Sequence, residues 1–277
     1  MIQIVTDSST LYTVDEAQSR GLEATPLCVN IGDFEGRDLQ IDMKAYYQRI
    51  AEGQIPRSSQ PPVGDVMDVY EKYAGKKIIN IAMADGLSGT YQSACGARES
   101  VDNKDDIIVF NSKTLCGPHR YMVDQAQQMK EDGASVEEIL AWLEKASNST
   151  ESFLIPQDFA FLKRGGRLSP GAAALGSALH LKPVMYLRKD GTKLDKFGVK
   201  RTMLSAAKVV LSYLKEAGLS SRHILYIAHA DAPEDAATFK EMFEKNFEGL
   251  EIRILELSPV FVAQGGPKCV AIQYIER

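Results

Sequence analysis

Ile78-Ile79-Asn80-Ile81-Ala82-Met83, the turn Leu87-Ser88-Gly89-Thr90 and the run Ile107-Ile108-Val109-Phe110 decide the fold. Two short apolar, β-branched runs flank a helical pattern from Ser88 to Val101, and strand, crossover helix and strand in that order build a parallel sheet. Working outward, Ile2 to Val5 supplies another buried strand, and Thr13-Val14-Asp15-Glu16 is a capping box that opens a helix. Leu115 to Glu131 predicts a long helix after the third strand. Ser135-Val136-Glu137-Glu138 caps one more, running to about Ala146. Residues 1–150 therefore read as a three-layer, mostly parallel α/β domain.

The polar run Ser147-Asn148-Ser149-Thr150 marks a change of character. Beyond it the strand candidates are Ser152 to Ile155, Val184 to Leu187, Lys193 to Val199, His223 to His229, Glu251 to Leu257 and Cys269 to Ile275. Arg188-Lys189-Asp190-Gly191 carries the Asp-Gly signal of a tight hairpin, so this sheet is expected to be mixed. Helical patterns at Thr202 to Glu216 and Pro233 to Phe247 would cover it, the second with Pro in its first turn. Residues 151–277 form a second, different α/β domain with a mixed sheet.

Composition narrows the function. The 277 residues are 44% hydrophobic and 25% charged, enough apolar material for a real core. A net charge of -5 argues against a surface that neutralises a phosphate backbone, so nucleic acid is not an expected partner. Met1-Ile2-Gln3-Ile4-Val5 enters a strand with no basic leader, and no run approaches the roughly 18 apolar residues of a membrane span. A soluble cytoplasmic protein is the expectation, as a monomer. The 4 cysteines, Cys28, Cys95, Cys116 and Cys269, are dispersed and read as reduced and structural, and the 4 histidines lack metal-binding spacing. No metal and no cofactor are expected.

Several polar clusters carry possible chemistry. Leu162-Lys163-Arg164-Gly165-Gly166-Arg167 sets cations beside a bare-backbone turn, and the run Ala172 to Leu179 leaves room for an apolar body. The same stretch also reads as a helix ending in Gly-Gly, followed by a packed core helix. Ser58-Ser59-Gln60-Pro61-Pro62 falls where serines cap the helix Val63 to Tyr73, yet two hydroxyls and an amide leave a polar group over for a carboxylate or phosphate. Ser88 opens a helix beyond a strand end, where backbone N–H groups attract anions, and also reads as an N-cap. Asp7, in Thr6-Asp7-Ser8-Ser9, is a base, a metal ligand or, more commonly for its type, a loop-tying group. His229 ends a strand and is the histidine placed for a site, although a structural, hydrogen-bonded histidine is the commoner role. Gly265-Gly266-Pro267, flanked by Gln264 and Lys268, reads as a flexible turn. The dinucleotide fingerprint, the phosphate loop and the Gly-x-Ser-x-Gly elbow are all missing.

Thr6-Asp7-Ser8, Ser58-Ser59-Gln60-Pro61, Leu87-Ser88-Gly89-Thr90-Tyr91, Leu162 to Arg167, Lys182-Pro183 and Gly266-Pro267, taken in order, resemble the DegV family of bacterial fatty acid-binding proteins. The resemblance implies two α/β domains with one long-chain fatty acid buried in a tunnel between them. It also implies a non-enzymatic carrier that presents the carboxyl group to a separate fatty acid kinase. By motif match, Ser58 and Ser88 would hydrogen-bond the carboxyl group, with Ser59 close by and Arg167 reaching the head group. Ala172, Leu175, Gly176 and Leu179 would wall the acyl chain, and Arg201 would face the kinase.

This chain departs from the family pattern twice. Ser58 stands where Thr is usual, which keeps the hydroxyl. Gln264 stands where the family carries His, so this position cannot become cationic and Arg167 is the one cation among the motif-matched head-group positions. A buried carboxylate costs several kcal/mol unless neutralised or hydrogen-bonded, while each buried CH₂ returns roughly 0.8 kcal/mol, so a long tail outweighs an imperfect head site. Two rival readings remain at this level: a hydrolase or phosphotransferase built on Asp7, Ser88 and His229, and a binder of another amphiphilic lipid.

Overall fold

The computed structural model describes residues 1–175 and 181–277. They form two compact units, Met1–Asn148 and Ser149–Arg277. In chain order the first contains β1 (Ile2–Asp7), α1 (Val14–Ser19), β2 (Glu23–Thr25), β3 (Cys28–Ile31), β4 (Phe34–Arg37), α2 (Met43–Ala51), β5 (Arg57–Ser59), α3 (Val63–Lys72), β6 (Lys77–Ala82), α4 (Thr90–Glu99), β7 (Ile107–Asn111), α5 (Cys116–Glu131) and α6 (Val136–Ser147).

A parallel sheet of order β2-β1-β6-β7 centres this unit. Val5, Ile78 and Ile107 pack against Val66 and Tyr70 of α3 and Ala94 and Ala97 of α4. The neighbouring residue Thr6 points to the opposite face, as strand geometry requires, and there meets His119 of α5. Helices thus cover both faces. The expected capping boxes at Thr13 and Ser135 both form. An antiparallel sheet, order β4-β3-β5, is inserted between β2 and α3, and the sequence reading did not anticipate it.

That small sheet corrects the reading of Ser58 and Ser59. Both lie in β5, paired with Val29 and Cys28 of β3, and the N-cap of α3 is Pro62, which makes no side-chain capping bond. Likewise α4 starts at Thr90 with Gly89 as its N-cap, so Ser88 precedes the helix.

The second unit contains β8 (Glu151–Ile155), α7 (Phe159–Gly165), α8 (Pro170–Ala173), β9 (Lys182–Leu187), β10 (Leu194–Lys200), α9 (Met203–Glu216), β11 (His223–His229), α10 (Pro233–Glu244), β12 (Glu251–Glu256), α11 (Pro259–Gly265) and β13 (Val270–Glu276). Its sheet, order β10-β9-β8-β13-β11-β12, is mixed: β11 and β12 are parallel and the other neighbours antiparallel. Phe153, Val184, Leu225 and Ile272 pack under α9 and α10, which bring Ala206, Val210, Phe239 and Phe243 to one core. The hairpin between β9 and β10 turns at Gly191, whose φ of 72° suits glycine. Among the described residues the Ala-rich run forms helix over Pro170–Ala173; Gly176 and Leu179 lie outside the described residues. Among the described residues no helix is long and apolar enough to cross a membrane.

His119 is fully buried. Its Nε2 stands 3.0 Å from the Ile81 carbonyl, which can only accept, so Nε2 carries the proton and Nδ1 accepts from Ser9 Oγ at 2.7 Å. Burial holds its pKa below the usual 6.5, against the opposing effects of the Asp7 charge and the Ile81 bond. Below 6.5 the unfolded chain takes up a proton that the native imidazole refuses. Stability should therefore be complete above that pH and fall as pH drops through 6.5 toward the lower native value. Urea titrations from neutral to mildly acidic pH will show this slope, reduced in His119→Gln; an unchanged slope would exclude His119 as its source.

Candidate functional site

In an open parallel sheet, ligands gather beyond the C-terminal strand ends where the strand order reverses. Here β1 continues outward to β2 and β6 continues the other way to β7, so the reversal lies between β1 and β6. Asp7 closes it: one carboxylate oxygen accepts from Ser9 N at 2.9 Å and the other from Met83 N at 2.9 Å. Asp7 is therefore a loop-tying group. Next to it Ser8 Oγ donates to Asp38 Oδ2 (2.8 Å) and accepts from Leu27 N (3.1 Å), tying the loops beside the small sheet to the end of β1.

The small sheet carries Ser58 and Ser59, whose side chains point to opposite faces of β5. Ser58 is half-buried and Ser59 exposed. Gln60, two residues after Ser58, lays its carboxamide against Gly89, so closely that a Cβ on Gly89 would collide with Gln60 Oε1. That contact joins the Ser58 segment to the Ser88 turn. Ser88 Oγ is 2.8 Å from Thr90 Oγ1 and accepts from Thr90 N at 3.3 Å, which fixes the hydroxyl at the start of α4. The helix dipole places partial positive charge there. The structure thus brings the Ser58 and Ser88 segments together, and the Gln60 amide, which the sequence offered as a polar group to an anion, is the connecting residue. Its signal was a glycine directly after Ser88.

The second unit repeats this arrangement. The carboxamide of Gln264, at the end of α11, packs against Gly165 at the end of α7, where a Cβ would collide with Gln264 Oε1 and lie 4.0 Å from Arg167 Cδ. Arg167 donates from a guanidinium nitrogen to the Gly165 carbonyl, so Gly165, Arg167 and Gln264 meet at one point. Burial lowers the Arg167 pKa below the usual arginine value. A guanidinium still keeps its charge and offers five N–H donors, enough to hold a carbonyl and an anion at once. The backbone after it is pinned by Leu194 N on the Arg167 carbonyl (3.0 Å) and Ser169 N on the Leu194 carbonyl (2.9 Å).

Gly265-Gly266-Pro267 corrects another expectation, that of a flexible turn. Gly265 ends α11, and its Cα faces Cys269, whose Sγ would lie 2.7 Å from a Cβ. Gly266 has φ 79° and ψ 164°, a region open essentially to glycine, with Phe161 of α7 2.8 Å from where a Cβ would sit. Both residues are buried. Gly165, under Gln264 of α11, and Gly266, against Phe161 of α7, let these two helices approach closely.

The remaining candidates are more scattered. Ala172 is buried on α8 and Leu175 half-buried; Arg201 is exposed just before α9. His229 accepts from Ala232 N at 3.3 Å and so shapes the turn before α10, and burial lowers its pKa against the charges of Glu256 and Asp231. Asp7, Ser88 and His229 each make their hydrogen bonds with neighbours other than one another. Among the described residues no group of three or more His, Cys, Asp or Glu is arranged to hold a metal ion.

Comparison with known proteins adds the following. The family model "Uncharacterised protein, DegV family" matches residues 1–277. A DegV domain-containing protein of Clostridium perfringens is 30% identical, with 98% of this chain and 96% of that one covered. Protein DegV of Bacillus subtilis is 29% identical over 90% of each chain. Among solved structures, a Thermus thermophilus DegV family protein described as binding fatty acid superposes with a TM-score of 0.89 at 26% identity, covering 100% of this chain and 99% of that one. The Bacillus subtilis DegV structure, described as a fatty acid binding protein, gives 0.86 at 27% identity, with 100% and 99% covered.

Gly266→Ala should lower stability by about 1–3 kcal/mol or more, since a forbidden backbone conformation and the Phe161 ring both oppose it. Gly171→Ala, where nothing among the described residues lies within 4 Å of an added Cβ, should leave stability equal or raised. Equal denaturation midpoints for these two variants would refute the close-approach account of Gly266.

Proposed function

The chain belongs to the DegV family, and on that premise we propose that it binds a long-chain fatty acid and presents its carboxyl group to a separate fatty acid kinase in the cytoplasm, supplying no catalytic group and no cofactor itself. The observation that carries this reading is the full-length likeness, in sequence and in fold, to chains described as fatty acid binding proteins.

In this proposal Ser58 and Ser88 hydrogen-bond the carboxyl group, with Ser59 close by, and Arg167 and Gln264 attend the head group. Ala172 and Leu175, with Gly176 and Leu179, wall the acyl chain in the buried tunnel that the resemblance implies. Arg201, exposed before α9, faces the kinase. Chemistry supports the head-group roles. The Ser88 hydroxyl at the start of α4 favours an anion, and a partly desolvated guanidinium attracts a carboxylate more strongly than one in bulk water. Gln264, seated on Gly165, donates and accepts without a charge, so the head group would meet one cation rather than two.

Protein purified from cells should release a long-chain fatty acid on denaturing extraction, identified by mass spectrometry. An isoprenoid or phospholipid in its place would move the reading to another amphiphile, and an absence of any lipid after loading with oleate would end it. Arg167→Ala should weaken oleate binding by about 10- to 100-fold, the equivalent of one or two charge-assisted hydrogen bonds. If both oleate affinity and transfer to a fatty acid kinase stay unchanged in that variant, Arg167 is structural only.

A further inference from the structure

His229 ends β11 where three loops meet. Its carbonyl accepts from Leu257 N at 2.8 Å, just past β12. The next residue, Ala230, is clamped from both directions by the segment that leads into β13: Lys268 N donates to the Ala230 carbonyl at 2.7 Å, and Ala230 N to the Cys269 carbonyl at 3.0 Å. The imidazole is buried, with 9% of the residue exposed. Its Nδ1 accepts from Ala232 N at 3.3 Å, so the neutral ring carries its proton on Nε2. That bond holds the turn that enters α10, whose N-cap, Ala232, makes no side-chain capping bond.

Asp231 and Lys268, on either side of this clamp, adopt backbone that non-glycine residues seldom take, with φ 51° and φ 61°. Lys268 Nζ joins them through an ion pair with Asp231 Oδ2 at 2.6 Å and a bond to the Asp231 carbonyl. The two side chains are 48% and 54% exposed, so the pair holds weakly and exchanges readily. Asp231, Lys268 and Glu256 at the end of β12 are the charges that act on the ring: burial and Lys268 oppose an imidazolium, whereas the two carboxylates favour it. His229 thus has two arrangements. In the neutral one, Nδ1 receives the Ala232 N–H. In the charged one both ring nitrogens donate, the Ala232 N–H is turned away, and Glu256 and Asp231 draw the ring, the latter in competition with Lys268. The clamped segment runs directly to the head-group candidates. Gly266, two residues before Lys268, packs on Phe161, and Gln264, two residues earlier again, lies on Gly165 beside Arg167.

We propose that His229 is a proton-operated latch: the neutral ring holds the 230–232 turn and, through Ala230, the 266–269 segment, and uptake of a proton at Nδ1 releases both and loosens the seat of Gln264 and Arg167. The effect on a ligand rests on the proposed fatty acid function, whereas the latch does not. Acid then weakens the hold on the carboxyl group, and by linkage a bound ligand keeps the ring neutral to lower pH.

The test is oleate affinity from about pH 7 to about pH 5 in the intact protein and in His229→Asn, whose carboxamide oxygen accepts from Ala232 N at every pH. The carboxyl group of oleate titrates alike in both, so the difference between the two profiles belongs to His229. Affinity should fall at least about threefold further in the parent protein than in the variant, since one linked proton is worth at most about tenfold per pH unit. Oleate should also move the titration of the His229 ring resonances to lower pH. Hydrogen exchange without ligand, corrected for its intrinsic pH dependence, should show the Ala230, Ala232 and Lys268 amides losing protection on acidification in the parent and keeping it in His229→Asn. Coincident affinity profiles in proteins that bind oleate at neutral pH, or equal exchange of these amides in the two proteins, would overturn the latch. Failure of both proteins to bind oleate at neutral pH would instead end the fatty acid reading, and amide exchange alone would then decide the latch.

Discussion

The first unit depends on one buried carboxylate. Asp7 is 1% exposed, and a charge taken that far from water needs donors to compensate it. It finds them in Ser9 N and Met83 N, one on its own chain segment and one beyond the neighbouring strand. The bond to Met83 fixes where β6 ends relative to β1, and so fixes where the following turn with Ser88 begins. Ser8 and Thr6 extend the same anchorage to Asp38 and to Ile81, while Ser9 reaches His119. The Thr6-Asp7-Ser8-Ser9 run is thus a bracket for three surrounding segments, which explains why a polar motif at the C-terminal edge of the parallel sheet is almost entirely buried.

Much of this architecture was legible in the residues. The strands that carry the parallel sheet are continuous apolar runs, because both faces are covered, and such runs stand out against helical patterns. The capping boxes at Thr13 and Ser135 and the hairpin signal at Asp190-Gly191 are local chemistry and were realised locally. The small sheet was not legible. Its strands β3, β4 and β5 span only three or four residues each, too short for a period of two to declare itself, and β5 pairs with a strand distant in sequence. Missing it turned Ser58 and Ser59 into a helix cap. Gly-Gly-Pro misled for a related reason: glycine signals freedom in isolation, whereas a close tertiary neighbour, Phe161, uses that absence of a side chain to pack.

The candidate site follows the same logic in each unit. A glutamine carboxamide rests on a glycine, so closely that an added methyl group would push the amide aside: Gln60 on Gly89, and Gln264 on Gly165. Neither pair could be found by spacing, because each joins residues far apart in the chain. Both, however, involve a glycine beside a residue singled out on other grounds, Ser88 in one case and Arg167 in the other. Such seats orient an amide without charge beside a hydroxyl in one unit and a guanidinium in the other.

The position of β13 has a consequence in time. It is the last strand of its unit in chain order, yet it lies in the interior of the sheet, paired with β8 on one side and β11 on the other. Until residues 270–276 emerge from the ribosome, β8 and β11 have no strand to join them and their edges stay open. The first unit has no such dependence, since its sheet is complete once β7 is made. Synthesis therefore delivers a finished first unit well before the second can close, and during that interval the apolar strands of the second unit are the part of the nascent chain most exposed to mispairing.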